Sequence, residues 1–309
     1  MTSSTRLLAG VELGGTKCVC VLGTSPSDIR AQERLPTRDP QTTLAEIEAL
    51  LARWAGTYGC FEALGVASFG PLDLDRRSAT YGSIVATPKP GWSNTRIAGR
   101  FAERFGVPVG VDTDVNGAAL GEGRWGAAQG LDDFAYVTVG TGIGVGLIVH
   151  GQPIYGSSHT EMGHIRIARF PGDAWPGHCG FHGDCVEGLA SGPAIQARVG
   201  ASAETLPDDH PVWGTVVHAL AQLLHAMVVT AAPLRIVMGG GVLASREALL
   251  DRVRAELGKS LNGYVKAGEI VAPALGSMSG ALGALVLAEC AGGKRYRSAR
   301  GHGGVADDE

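Results

Sequence analysis

Residues 7–22 read LLAGVELGGTKCVCVL, and residues 134–149 read FAYVTVGTGIGVGLIV. In the first, apolar runs at Leu7 to Val11 and Cys18 to Leu22 flank Glu12-Leu13-Gly14-Gly15-Thr16-Lys17. In the second, Phe134 to Val139 and Gly144 to Val149 flank Gly140-Thr141-Gly142. Short apolar runs bounded by glycine turns are strands, so each stretch predicts a hairpin. Two similar hairpins in one chain predict two similar domains.

Between and beyond the hairpins, helix and strand alternate. Leu44, Ile47, Leu50, Leu51 and Trp54 lie at helical spacing within 43–58, and Ala63 to Ser68 reads as a buried strand. Asn94 to Phe105 is a second amphipathic segment, followed by a strand at Val109 to Val111. Asp112-Thr113-Asp114-Val115-Asn116 then precedes an alanine-rich helix, and a domain boundary is expected there. Farther on come a helix at Thr215 to Thr230, a strand at Leu234 to Met238 ending in Gly239-Gly240-Gly241, and a terminal helix at Ala281 to Cys290. After Gly292 the chain is polar and aperiodic, so 292–309 is expected to be a disordered tail. The fold class is α/β.

The 309 residues, 45% apolar, suffice for two cores. With 26 Lys plus Arg against 30 Asp plus Glu and no basic block, no nucleic-acid partner is expected. The apolar stretch around Val216 to Ala232 is interrupted by His218, Gln222 and His225, which predicts a buried helix and no membrane partner. Six scattered cysteines behind a start without a charged and apolar leader point to a reducing, cytoplasmic setting. Glycine is in excess, 47 of 309, about twice the usual share of roughly 7%. Clusters of it inside apolar segments imply backbone that approaches a ligand closely.

A phosphate chain is held by converging backbone N–H groups, which glycine turns supply. No window fits the Walker loop, and the glycines at 140, 142, 144 and 146 step by two into another strand, unlike the dinucleotide fingerprint. A different nucleotide site is needed. Asp112 and Asp114 stand at a strand end and helix start, where one carboxylate could accept a proton in phosphoryl transfer; a helix cap at Asp114 is the alternative. Cys179, His182 and Cys185 at steps of three, with His164 upstream, supply four donors suited to tetrahedral zinc, with His178 as a competing ligand.

Together these motifs resemble the ROK family of sugar kinases, its fructokinase-like branch in particular, over about residues 6–290. The resemblance implies a two-domain actin-like ATPase (ribonuclease H-like) fold with a cleft. Residues 1–112 would form a smaller domain completed by a terminal helix at about 281–291, and 113–280 a larger one carrying the zinc motif. ATP would lie between Gly14, Gly15, Thr16 and Lys17 on one side and Gly140, Thr141 and Gly142 on the other, with Gly239, Gly240 and Gly241 against adenine and ribose. Asp114 would be the general base, and Glu12 would hold Mg2+ through water. The sugar would meet Gly70, Thr87, Thr113, Asp114, Glu161, His164 and Glu187. Zinc would be bound by His164, Cys179, His182 and Cys185.

Thr113 stands where many relatives have Asn, which with Glu12 and the Cys-x2-His-x2-Cys spacing favours fructose over glucose, mannose or N-acetylmannosamine. A homodimer is the family expectation. A zinc hydrolase with Glu161 as base leaves the three glycine turns unused. A sugar-responsive repressor needs a DNA-binding segment ahead of the first turn.

Overall fold

The computed structural model describes residues 6–244, 246–292 and 296, and its main strands fall into two sheets of one plan. In chain order the first part runs β1 (Leu8–Leu13), β2 (Lys17–Ser25), β3 (Asp28–Pro36), α1 (Pro40–Tyr58), β4 (Ala63–Ser68), β5 (Ser83–Ile84), β6 (Thr95–Arg96), α2 (Ala98–Phe105) and β7 (Val109–Thr113). The second runs α3 (Asp114–Trp125), β8 (Phe134–Val139), β9 (Ile143–Val149), β10 (Gln152–Pro153), α4 (Val186–Ala190), α5 (Gly192–Val199), α6 (Val212–Ala231), β11 (Arg235–Gly239), α7 (Glu247–Leu261), β12 (Glu269–Val271) and α8 (Ser279–Ala291).

The first sheet has the order β3-β2-β1-β4-β7 and the second β10-β9-β8-β11-β12. In both, an antiparallel meander is extended by two parallel strands. Leu13 pairs with Ser68 and Ser68 with Thr113, so β1, β4 and β7 end level with one another. Parallel strands that end together make one edge from which their loops rise, the edge where α/β sites form.

Two helices, α3 and α8, pack on each other; α8 also covers β1, β4 and β7, and α3 packs on β8 and β9. Glycine makes this possible. Gly10, Gly65 and Gly110 lie side by side across β1, β4 and β7. A Cβ at Gly65 would collide with the Ala284 carbonyl, one at Gly110 with that of Leu287, and one at Gly10 would come 3.0 Å from that of Ala281. In the same way Gly283 sits on Gly117, and Gly146 of β9 sits on the Val115 carbonyl. These glycines therefore serve close packing of backbones, a use distinct from the ligand approach expected of the glycine turns.

The remaining differences are local. Asn94 has φ 61°, and Thr95–Arg96 pair with Ile84 and Ser83, so the expected helix from Asn94 begins only at Ala98. β3 and α7 add an edge strand and an amphipathic helix that were not foreseen. By length and composition α6 could cross a membrane, but 67% of its apolar window is buried. Trp213, Val216, Leu220, Leu224 and Met227 join the core of the second sheet, against α4 and α7. The expected disordered tail, apart from Gly292 and Tyr296, lies outside the described residues.

Candidate active site and metal centre

Asp114 stands at the level strand edge. Thr113 is the N-cap of α3, its Oγ1 accepting from the Asn116 N–H at 3.2 Å. The capping role thus falls to Thr113, whose hydroxyl is turned into the helix, while Asp114 opens the first turn and accepts from the Val115 N–H at 2.9 Å. Burial above all, with a smaller contribution from the negative charge of Glu161, pushes the Asp114 carboxyl up to about 6 against the pull of the Val115 N–H. Asp112 is different. It is buried and accepts from the Thr113 N–H at 2.7 Å, from Asn116 Nδ2 at 2.9 Å and from the Tyr155 hydroxyl. Those bonds occupy Asp112 in holding the β7–α3 junction.

The β1–β2 turn rises from the same edge, closed by the Gly14 N–H donating to the Lys17 carbonyl at 3.1 Å. Thr16 and Lys17 are exposed, and nothing lies within 4 Å of where a Gly15 Cβ would be. Glu12, near the end of β1, lies against the start of α8, its carboxyl carbon 2.6 Å from where a Gly280 Cβ would be. Its Oε2 is buried without a hydrogen-bond partner, and the carboxyl is pushed up to about 7 by burial and then by the charge of Asp114. The charge of Asp114 therefore reaches Glu12.

The second turn, between β8 and β9, is closed by the Gly140 N–H donating to Gly142 at 2.9 Å, with Thr141 exposed. A Gly144 Cβ would come 2.8 Å from Val115 Cγ1, which brings the start of β9 against the first turn of α3. Glu187 Oε2 accepts from the Ile143 N–H at 3.0 Å. Of the third glycine run, Gly239 is pressed on Tyr136 and Pro273, and Gly240, at φ 97°, backs onto Val139. Gly241 alone of the three faces open space, 3.8 Å from the Cβ position of Gly140. Gly239 and Gly240 shape the loop, and Gly241 offers the surface.

On the other flank, Thr87 Oγ1 donates to the Gly70 carbonyl at 3.1 Å, beside a cis Gly70–Pro71 bond. Two side chains not singled out from sequence complete this wall. Buried His159 accepts the Leu72 N–H on Nε2 at 3.0 Å, which leaves Nδ1 protonated and 3.4 Å from Glu161 Oε1. Lys89 Nζ donates to the Gly15 carbonyl at 2.6 Å. Proximity to Glu161 in the chain could have drawn attention to His159; only the folded loop reveals Lys89.

The soft donors do gather. One ligand atom from each of His164, Cys179, His182 and Cys185 lies within 4.8 Å of the others. His164 Nδ1 is 3.6 Å from both Cys179 Sγ and Cys185 Sγ, and His182 Nδ1 is 3.6 Å from Cys179 Sγ. Zinc bonds of about 2.0 Å to nitrogen and about 2.3 Å to sulfur give tetrahedral edges of roughly 3.3–3.8 Å, so the cluster fits such an ion. His178 is exposed and outside the cluster. His164 turns its other nitrogen, Nε2, toward Glu187 Oε1 at 3.9 Å. A Gly163 Cβ would collide with the Ile143 carbonyl, so the metal cluster is seated on the strand that follows the second turn.

A family model described as ROK family matches residues 8–291. The chain is 42% identical over 290 residues to a putative fructokinase of Bacillus subtilis, covering 91% of this chain and 95% of that protein. It is 40% identical over 302 residues to a fructokinase of Zymomonas mobilis, covering 95% and 100%. A solved ROK family glucokinase from Streptomyces griseus, in complex with glucose and AMPPNP, is similar at a TM-score of 0.76 and 27% identity, covering 92% of this chain and 99% of that one.

Proposed function

Because the chain belongs to the ROK family, we propose that it is an ATP-dependent hexose kinase that phosphorylates fructose at its 6-hydroxyl. The choice of fructose rests on the relatives at 42% and 40% identity, named putative fructokinase and fructokinase. The observation that carries the mechanism is Asp114: a carboxylate held at about 6 by burial, between two glycine turns.

A base must be ionised at working pH yet basic enough to take a proton, and a carboxyl near 6 meets both needs. As the sugar oxygen forms its bond to the γ-phosphorus, the bond from that phosphorus to the bridging oxygen breaks. ADP leaves with the electron pair, and the hydroxyl proton passes to Asp114. Asp112 keeps the turn that aims Asp114. Glu161, Glu187 and the free nitrogen of His164 would position sugar hydroxyls, with Gly70 and Thr87 on the facing wall, while Thr113, its hydroxyl used in capping α3, would fix the helix start beside them. The turns at Gly14–Lys17 and Gly140–Gly142 would hold the phosphates, and Gly241 would lie against the base.

Magnesium bound with ATP would neutralise charge between the β- and γ-phosphates. The unpartnered Oε2 of Glu12 fits the task of holding that ion's water. Zinc on His164, Cys179, His182 and Cys185 would be structural, since four protein ligands leave no open position for water. That argues against a hydrolase. The division at 112/113, with α8 completing the first unit, would let the two sheets close over both substrates.

The test is kcat/KM with Mg-ATP across fructose, glucose, mannose and N-acetylmannosamine. ADP release that depends on hexose and is fastest with fructose supports the reading. Release without sugar overturns the kinase, and preference for another hexose overturns the choice of fructose.

A further inference from the structure

Lys89 belongs to the sugar-side loop but ends at the phosphate turn. Its N–H donates to Thr87 Oγ1 at 3.4 Å, and Thr87 in turn holds the Gly70 carbonyl. Its ammonium reaches the Gly15 carbonyl at 2.6 Å and passes 6.0 Å from the centre of the Phe69 ring. Among the described residues no carboxylate pairs with it. The ammonium is half-buried, and a single carbonyl, that of Gly15, accepts from it. A lysine has three donors, and Gly15 uses one.

We propose that Lys89 is a catalytic cation that binds the transferring phosphoryl group from the sugar side. The inference rests on the kinase reading above. Its backbone rides with the sugar wall and its charge sits at the turn assigned to the nucleotide, so it spans the gap the phosphoryl group crosses. Thr16 and Lys17 are exposed, whereas Lys89 is half-buried where it meets that turn. Lys89 donates a hydrogen bond to an equatorial oxygen of the group in transit, while the proton of the sugar hydroxyl goes to Asp114. Charge is met where it builds up, in a site from which water is being excluded.

Lys89→Met keeps the length of the stem and removes the charge; Lys89→Arg keeps the charge. With wild-type hexose-dependent turnover as the reference, Lys89→Met is expected to lower kcat about 100-fold, the scale for one lost transition-state donor. Fructose affinity by calorimetry is expected to stay within about threefold, and Lys89→Arg to recover at least about a tenth of the lost rate. ADP with aluminium fluoride and fructose mimics the group in transit. It is expected to raise the wild-type melting temperature well above ADP and fructose alone, and Lys89→Met is expected to lose that extra rise. A Lys89→Met enzyme with wild-type kcat, or one whose loss matches a fall in fructose affinity with the aluminium fluoride response intact, overturns the proposal. Failure of the wild type to phosphorylate any hexose would instead strike the kinase reading itself.

Discussion

Asp114→Asn should silence the enzyme and stabilise it. In the folded chain the carboxyl rises from an ordinary 3.8 to about 6, chiefly because burial strips water from the charge. At about 1.4 kcal/mol per pH unit, that displacement costs the ionised folded state roughly 3 kcal/mol. Solvent still reaches a half-buried carboxylate, which trims the figure to about 1–2 kcal/mol. A group raised on folding binds its proton more tightly in the native state, so the cost is absent below about pH 4 and complete above about pH 6. Asparagine keeps the shape and can accept the same bond from the Val115 N–H. Calorimetric melting at pH 8 should therefore rise by about 2–5 °C in the variant, and the gain should fade at pH 4. Turnover should fall by about 100- to 10,000-fold, with fructose binding retained. In the wild type kcat/KM should drop with one proton below about pH 6. Near-normal turnover would refute the base, and an unchanged or lower melting point at pH 8 would refute the desolvated charge.

The other expectations follow from single contacts. Glu12→Gln should raise the Mg2+ concentration for half-maximal rate by roughly tenfold, the scale of a lost outer-shell partner, with fructose affinity unchanged; an equal requirement would remove Glu12 from metal handling. In the wild type, with Glu12 at about 7, proton and cation compete, so that requirement should climb as pH falls below about 7. Cys179→Ser should lower zinc content, measured by elemental analysis, together with fructose affinity, and full affinity without metal would break the link. Gly65→Ala should cost several kcal/mol in denaturant or prevent folding, because its Cβ meets the Ala284 backbone. Gly15→Ala, which faces open space, should fold normally, and equal instability of the two would refute the packing argument.

How far the sequence can be read depends on whether a property is local. The hairpins at 7–22 and 134–149, the α1 stripe and the Cys-x2-His-x2-Cys spacing are local, and each maps onto the element or cluster it implies. The segment at Asn94 is decided elsewhere: Thr95 and Arg96 pair with a strand ten residues or more upstream, which no helical periodicity can register. β3 is an edge strand whose alternation is partly charged, whereas α7 carries Leu249, Leu250, Val253, Leu257 and Leu261 at helical spacing, a local pattern. The two aspartates at 112 and 114 are equivalent in the string. Only the folded junction divides them, by giving the cap to Thr113 and three hydrogen bonds to Asp112.

The glycines show why the site could be located in sequence more readily than its walls. A strand residue without Cβ looks the same in sequence whether a ligand or a helix approaches it. Gly10, Gly65 and Gly110 acquire their meaning from being neighbours across three strands, and strand order is a property of the whole sheet. Seated on them, α8 comes within backbone contact of the first sheet, and through Gly283 on Gly117 it draws α3 equally close. Gly144 and Gly146 then bring β9 onto the start of α3. Each of these contacts removes the width of a side chain from the distance between the two sheets. What they bring together at the N-terminus of α3 is the pair of turns on either side of Asp114. Enlarging any one of those packing glycines should thus widen the cleft, lowering turnover even where the fold survives.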